Sequence, residues 1–289
     1  MREWLVQLKG EEEDLKALSE IFCTPNCNVG RDEDGFYYLR SSDFARIADE
    51  SIREERAIEL FRKTNVVARV LLGESYFGVE FDGMARIEDD GQRYRSVGIS
   101  GEMRWHVRTS YNDAAPEEAE SLMGRLEAQE LRKIIDLFAK SLDSKNDRLS
   151  SFVLAWAALE ILIKVVFGSY SLDHISDKVR SLTDSQYSGR VKGALKNYKS
   201  KKDKYPLVVK FIVVAATSAA EPTGKRVENL DRDVSDFENI YQVRNAVYHV
   251  GELDVAEASL PTATVEVQSL LSKYLRLHLD NISRKILTR

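Results

Sequence analysis

The sequence predicts an α+β protein in two parts: an N-terminal α/β domain over residues 1–115 containing an antiparallel meander, and a C-terminal all-α helical bundle over residues 116–289. Three observations carry this. Up to about residue 109 the apolar residues repeatedly alternate around the turn pairs Asp34-Gly35 and Asp90-Gly91, which tolerate the positive φ of tight hairpins. After Pro116 the apolar spacing becomes three and four and does not return to alternation, the period of helices with one buried face. Between the two, Tyr111-Asn112-Asp113-Ala114-Ala115-Pro116 is polar and small and ends in a proline suited to a helix start, which marks the boundary.

In order, residues 4–8 read as a strand and 11–22 as a helix, with Leu15, Leu18 and Ile21 on one side and glutamates at the start, where the helix dipole favours them. Residues 28–31 and 36–40 form a hairpin around Asp34-Gly35. A helical stretch over 43–72 carries a break, and Gly73 closes it. From 76 to 109 the meander is expected, with strands over 84–88, 92–97 and 102–109. Residues 117–142 read as one amphipathic helix. Residues 149–167 are apolar nearly all round and should form the central helix of the bundle. Residues 207–220 give a second buried helix, 230–251 a third, and Pro261 should open the last.

Composition bounds the function. Of 289 residues, 43% are hydrophobic and 31% charged, as in an ordinary globular protein. Residues 1–10 are too short and too charged for a signal peptide, and Glu160 and Lys164 interrupt the most apolar stretch, so a cytoplasmic protein with no membrane association is expected. The two cysteines, Cys23 and Cys27, are too few for a disulfide framework and have no nearby His or Cys to complete a zinc site. The formal charge of −5 is uneven: residues 1–115 carry 16 basic against 23 acidic side chains, and residues 116–289 carry 26 against 24. Between Arg190 and Lys204 stand seven bases (Arg190, Lys192, Lys196, Lys199, Lys201, Lys202, Lys204) and one acid, with Tyr198 among them. Bases interleaved with aromatics suit a phosphate backbone and unpaired bases; a solvated helix face is the alternative.

The most informative stretch is Arg244-Asn245-Ala246-Val247-Tyr248-His249, at the end of a helix whose apolar stripe is Phe237, Ile240, Tyr241 and Val243, with Gly251 as its stop. Arginine presents a permanently charged planar fork to phosphate oxygens, and histidine can take or give a proton near neutrality. An arginine, a polar residue and a histidine at this spacing resemble the signature of the HEPN family. Upstream, Trp156-Ala157-Ala158-Leu159-Glu160-Ile161-Leu162 is similar to a helix of the Apea-like HEPN branch, and the resemblance covers about residues 116–289. It implies a helical bundle acting as a metal-independent RNA endonuclease in cellular or antiviral defence or toxin-type growth arrest, with Arg244, Asn245 and His249 as catalytic residues and no cofactor. The alternative within the family is a non-catalytic module that binds nucleotide, RNA or a protein partner.

Family members commonly oppose two motifs across a dimer, which together with the stripe and the single motif histidine predicts a homodimer through the C-terminal domain. An antitoxin or other defence partner is also implied. One departure is Gly251, where some toxin members carry a tyrosine that a partner enzyme modifies. Arg244 and His249 lie about 140° apart on an ideal helix, so the helix must loosen or the cleft must be shared by two chains. Tyr248, four residues on, shares Arg244's side and could stack a base or simply pack. Glu160 either pairs with Lys164 one turn later or orients Arg244 from the neighbouring helix. A purely structural Arg244, paired with Glu160, is the third possibility.

Overall fold

The computed structural model describes residues 3–24, 26–33, 35–45, 47–73, 76, 78–87, 93–95, 115–126, 130–143, 146–181, 187–198, 201–219, 230–248 and 253–287. The chain divides into two compact units, Met1–Asp147 and Arg148–Arg289.

The first unit is built on a five-stranded antiparallel sheet among the described residues, in the order β2-β3-β1-β4-β5. Its strands are β1 (Glu3–Lys9), β2 (Asn28–Arg31), β3 (Tyr37–Arg40), β4 (Glu80–Ile87) and β5 (Arg93–Arg95). The first strand is central, with Val6 opposite Leu39 on one side and Met84 on the other. The β2-β3 hairpin closes through Gly35 at φ 87°, a conformation that glycine adopts without steric cost. Helices α1 (Glu12–Ile21), α2 (Ser42–Ala45) and α3 (Glu50–Leu72) follow the expected pattern, including the break between the last two. Asp49 caps α3 by accepting from the Ile52 amide, and Gly73 ends it at φ 79°. Of the expected meander, β4 and β5 are present; the turn at 90–91 and the strand over 102–109 lie outside the described residues.

The expected boundary at residue 115 is corrected to residue 147. Pro116 does open a helix, but the single helix expected over 117–142 is two, α4 (Pro116–Arg125) and α5 (Arg132–Ser141), and both belong to the first unit. Their apolar sides, Ala119 and Leu122 on α4 and Ile134, Ile135 and Phe138 on α5, are buried, and both helices pack on α3. Polar ties reinforce this: Arg62 Nη1 lies 2.7 Å from Asp136 Oδ1, and Asn26 Nδ2 donates to Glu120 Oε1 at 3.0 Å. A change of secondary-structure class therefore did not coincide with a change of core. Amphipathic helices bury their stripes wherever an apolar surface is offered, and the first unit offers α3.

The second unit is all helix among the described residues: α6 (Arg148–Ser169), α7 (Leu172–Ser181), α8 (Ser188–Tyr198), a 3-10 turn (Lys202–Lys204), α9 (Leu207–Ala219), α10 (Leu230–Tyr248) and α11 (Leu253–Leu287). Helix α6 is long and apolar enough to cross a membrane, with mean hydropathy 2.0. Here it serves as the middle of the bundle, packed on α9 and α11, with Phe152, Trp156, Leu159, Leu162 and Ile163 buried. Aromatic rings join the helices. Phe237 of α10 stacks on Phe211 of α9 at 4.2 Å and leans on Trp156 of α6 at 5.5 Å, while Phe211 meets the edge of Tyr274 of α11 at 5.1 Å. Pro261, expected to start the last helix, instead lies inside α11, which begins at Leu253. That costs one backbone hydrogen bond, while Leu260 and Ala263 on either side are buried in the bundle.

Candidate functional site

Helix α10 has a buried half and a half turned toward solvent, and the change falls just before Arg244. Asp233, Val234, Phe237 and Ile240 are buried, whereas from Tyr241 onward no residue of the helix is fully covered. The buried half is anchored by a charge. Asp233 Oδ2 accepts from the Tyr274 hydroxyl at 2.6 Å and from Lys273 Nζ at 2.5 Å, both on α11. Burial raises the Tyr274 hydroxyl pKa far above its ordinary value, and the Asp233 charge and the hydrogen bond to it raise it further, so the phenol remains a donor. Asp233 was not singled out in the sequence; its place beside Val234 on the stripe of Phe237 and Ile240 was the available signal.

Fixed in this way, the last turn of α10 presents a compact group. Arg244 Nη1 donates to Asn245 Oδ1 at 3.0 Å. One turn later the ring of Tyr248 lies 4.5 Å from Arg244 Cζ, so the expected sharing of a side by these two residues is present. Arg244 Nε is buried and has no hydrogen-bond partner among the described residues. With its oxygen held by the guanidinium, Asn245 has amide N–H groups that make no hydrogen bond among the described residues and are left to donate. His249, Val250 and Gly251, and with them the expected helix stop, lie outside the described residues, as does Lys199; the described part of α10 runs to Tyr248.

Glu160 does not orient Arg244. Its two oxygens are taken on its own helix, Oε1 by Lys164 Nζ at 2.6 Å and Oε2 by Trp156 Nε1 at 3.1 Å. The i to i+4 spacing makes both contacts local and therefore available without any rearrangement between helices. Glu160 reaches the motif helix only through Trp156, whose ring touches Phe237 and Tyr241. Arg244 thus keeps a positive charge with no carboxylate against it among the described residues.

The basic run divides into two kinds of residue. Arg190 is committed to an ion pair with Glu238 of α10. Lys202 Nζ donates to the carbonyls of Gly168 at 2.8 Å and Tyr170 at 2.7 Å, capping the end of α6, where carbonyls lack helical partners. Both therefore have a structural contact inside the unit, but Arg190 is half-exposed with a single nitrogen engaged, so the contact by itself does not remove it from the expected RNA-binding set. Lys192 and Lys196, one turn apart on α8, Lys201 just before the 3-10 turn and Lys204 at its end are exposed and make no ion pair among the described residues. Tyr198, by contrast, packs on Tyr205 at 5.8 Å.

Of the stripe expected to serve a dimer, Phe237 and Ile240 are fully buried in their own bundle, whereas Tyr241 and Val243 are half-exposed. Two other features stand apart from the motif. A groove of about 990 Å³ in the first unit runs between α3 and α5, and it holds none of the predicted site residues. Part of its charge is paired within it, Arg62 with Asp136 and Lys63 with Glu59. Cys23 and Cys27 are free thiols, the first exposed and the second buried. No family model, no curated protein and no solved structure matches the chain.

Proposed function

We propose that the chain is a HEPN-type, metal-independent RNA endonuclease in which the end of α10 is the catalytic edge. The observation that carries this reading is Arg244: a half-buried guanidinium with, among the described residues, no carboxylate partner and one nitrogen left without an acceptor, and with a tyrosine ring beneath it. A buried donor without a partner is costly in a resting protein, and the cost is recovered when an anion binds. Arg244 would hold the scissile phosphate and the free amide donors of Asn245 would reach a second oxygen. His249 would take the proton from the 2′-hydroxyl as that oxygen attacks phosphorus. The bond to the 5′-oxygen then breaks and that oxygen acquires a proton, leaving a 2′,3′-cyclic phosphate and a 5′-hydroxyl. The exposed Lys192, Lys196, Lys201 and Lys204 supply a field for the RNA backbone.

The same proposal includes a homodimer that brings two motifs together, a cytoplasmic setting, and a role in defence or growth arrest with an antitoxin or similar partner. Supporting the dimer are the half-exposed Val243 and Val247 and the exposed Tyr248, apolar surface at the end of the motif helix. A second reading has its own support. Arg244, Asn245 and Tyr248 suffice to bind a phosphate and a base without any proton transfer, which is what a non-catalytic nucleotide- or RNA-binding module needs.

The test is cleavage of a mixed-sequence RNA by the purified protein in EDTA, with Arg244→Ala and His249→Ala alongside. Cyclic-phosphate products that vanish in both variants are expected. Full cleavage by His249→Ala refutes the mechanism, and RNA binding without cleavage by the parent protein selects the binding module.

A further inference from the structure

We infer that Tyr248 is the platform for an unpaired base next to the phosphate held by Arg244, so that the preferred ligand is single-stranded RNA with a purine at that position. This rests on the reading of Arg244 as a phosphate-binding residue and adds the strandedness and base class of the substrate. Tyr248 is 57% exposed, unusual for an aromatic side chain on a helix that buries Phe237 completely. One of its faces already carries the guanidinium, with Cζ 4.5 Å from the ring centroid. The surface it shows to solvent is therefore mainly the opposite face and the hydroxyl edge. A base laid on that face at van der Waals distance, about 3.5 Å, would sit roughly 8 Å from the guanidinium carbon, about one nucleotide from a phosphate held at the guanidinium edge.

Stacking of this kind requires a base that is not paired and stacked in a helix, since a duplex shields its base faces. It is tolerant of base identity but stronger for the larger purine surface. The guanidinium on the other face makes the arrangement a three-layer stack, in which the ring is held flat before the base arrives. Exposed lysines on α8 and around the 3-10 turn attract any polyanion, whereas the ring of Tyr248 distinguishes a single strand from a duplex.

The experiment is binding of fluorescent 2′-O-methyl oligonucleotides, which lack the attacking hydroxyl and so report affinity independently of cleavage. Oligo(A), oligo(U) and a mixed-sequence duplex are compared for the parent protein, Tyr248→Phe and Tyr248→Ala over a range of salt. The expectation is tighter binding of oligo(A) than of oligo(U). Tyr248→Ala should bind oligo(A) about 5- to 100-fold more weakly, Tyr248→Phe should bind nearly as the parent does, and the duplex should be unaffected.

The salt dependence separates stacking from simple support of Arg244. Loss of a stacked base weakens affinity at an unchanged slope, whereas a displaced Arg244 lowers the slope by about one. Equal loss for strand and duplex, a lowered slope, unchanged affinity in Tyr248→Ala, or no oligo(A) binding by the parent overturns the inference. Absence of cleavage by a parent that binds oligo(A) through Tyr248 overturns only the nuclease reading, and Arg244-dependent cleavage that ignores Tyr248 overturns only the inference. Tyr248 is exposed, and unchanged melting of its variants confirms that they remain folded.

Discussion

Helix α10 carries two charges with opposite assignments, and replacing each in turn separates fold from function. Arg244→Ala removes one hydrogen bond to an adjacent side chain, worth about 0.5–1.5 kcal/mol, and a contact with an exposed ring, worth about 0.5–1 kcal/mol. Against this it removes the Nε donor, which has no partner among the described residues and whose desolvation costs about 1–3 kcal/mol. The terms nearly cancel, so the melting temperature should move by less than about 4 °C. Asp233→Ala leaves the Tyr274 hydroxyl and Lys273 without their acceptor in the bundle, at about 3–5 kcal/mol, and melting should fall by roughly 10 °C or more. The assay is differential scanning calorimetry on the two variants and the parent, with RNA affinity measured on the same samples. Arg244→Ala should retain stability and lose affinity. A fall in melting comparable to that of Asp233→Ala would show that Arg244 supports the bundle and would refute the assignment of a cation kept for an anion.

Reversing Lys192 and Lys196 together to glutamate should weaken RNA binding and flatten its salt dependence by about two in slope, read by fluorescence anisotropy. Lys202→Ala should instead lower melting temperature with little change in that slope, because it loses the cap on α6. In the first unit, Asn65 donates to the Val79 carbonyl at 2.8 Å and accepts from the Val79 amide at 3.1 Å and from the Tyr76 hydroxyl. Asn65→Leu strands all three buried groups and should cost about 3–5 kcal/mol in denaturant titration. Burial pushes the Cys27 thiol up from 9.0 to about 12. At pH 8 iodoacetamide should therefore modify Cys23 long before Cys27 in peptide mass spectra, with the order lost in denaturant. The same shift stabilises the fold below about pH 9, and that contribution disappears as pH rises from there toward 12.

Periodicity and turn chemistry were enough to read most of the elements from the sequence: the Asp34-Gly35 hairpin, the break before α3 and its closing Gly73, Pro116 at a helix start, and the apolar helix that became α6. These depend on local backbone preference and on the alternation of buried faces, both written in short windows of residues. The Arg244, Asn245 and Tyr248 group was legible for the same reason, since three residues within five positions on one helix cannot separate.

Tertiary structure alone decided which core received each amphipathic stripe. The stripe of α5 is compatible with a bundle or with α3, and only the packing of Ile135 and Phe138 in the first unit moved the boundary to residue 147. It decided also which charges are spent. Lys202 and Arg190 carry the same formal charge as Lys192, Lys196, Lys201 and Lys204, but the end of α6 and Glu238 respectively lie within reach of them. A side chain's availability depends on acceptors that are distant in sequence and close in space. Composition and spacing fix what a residue can do, and neighbours brought by the fold fix whether it is free to do it.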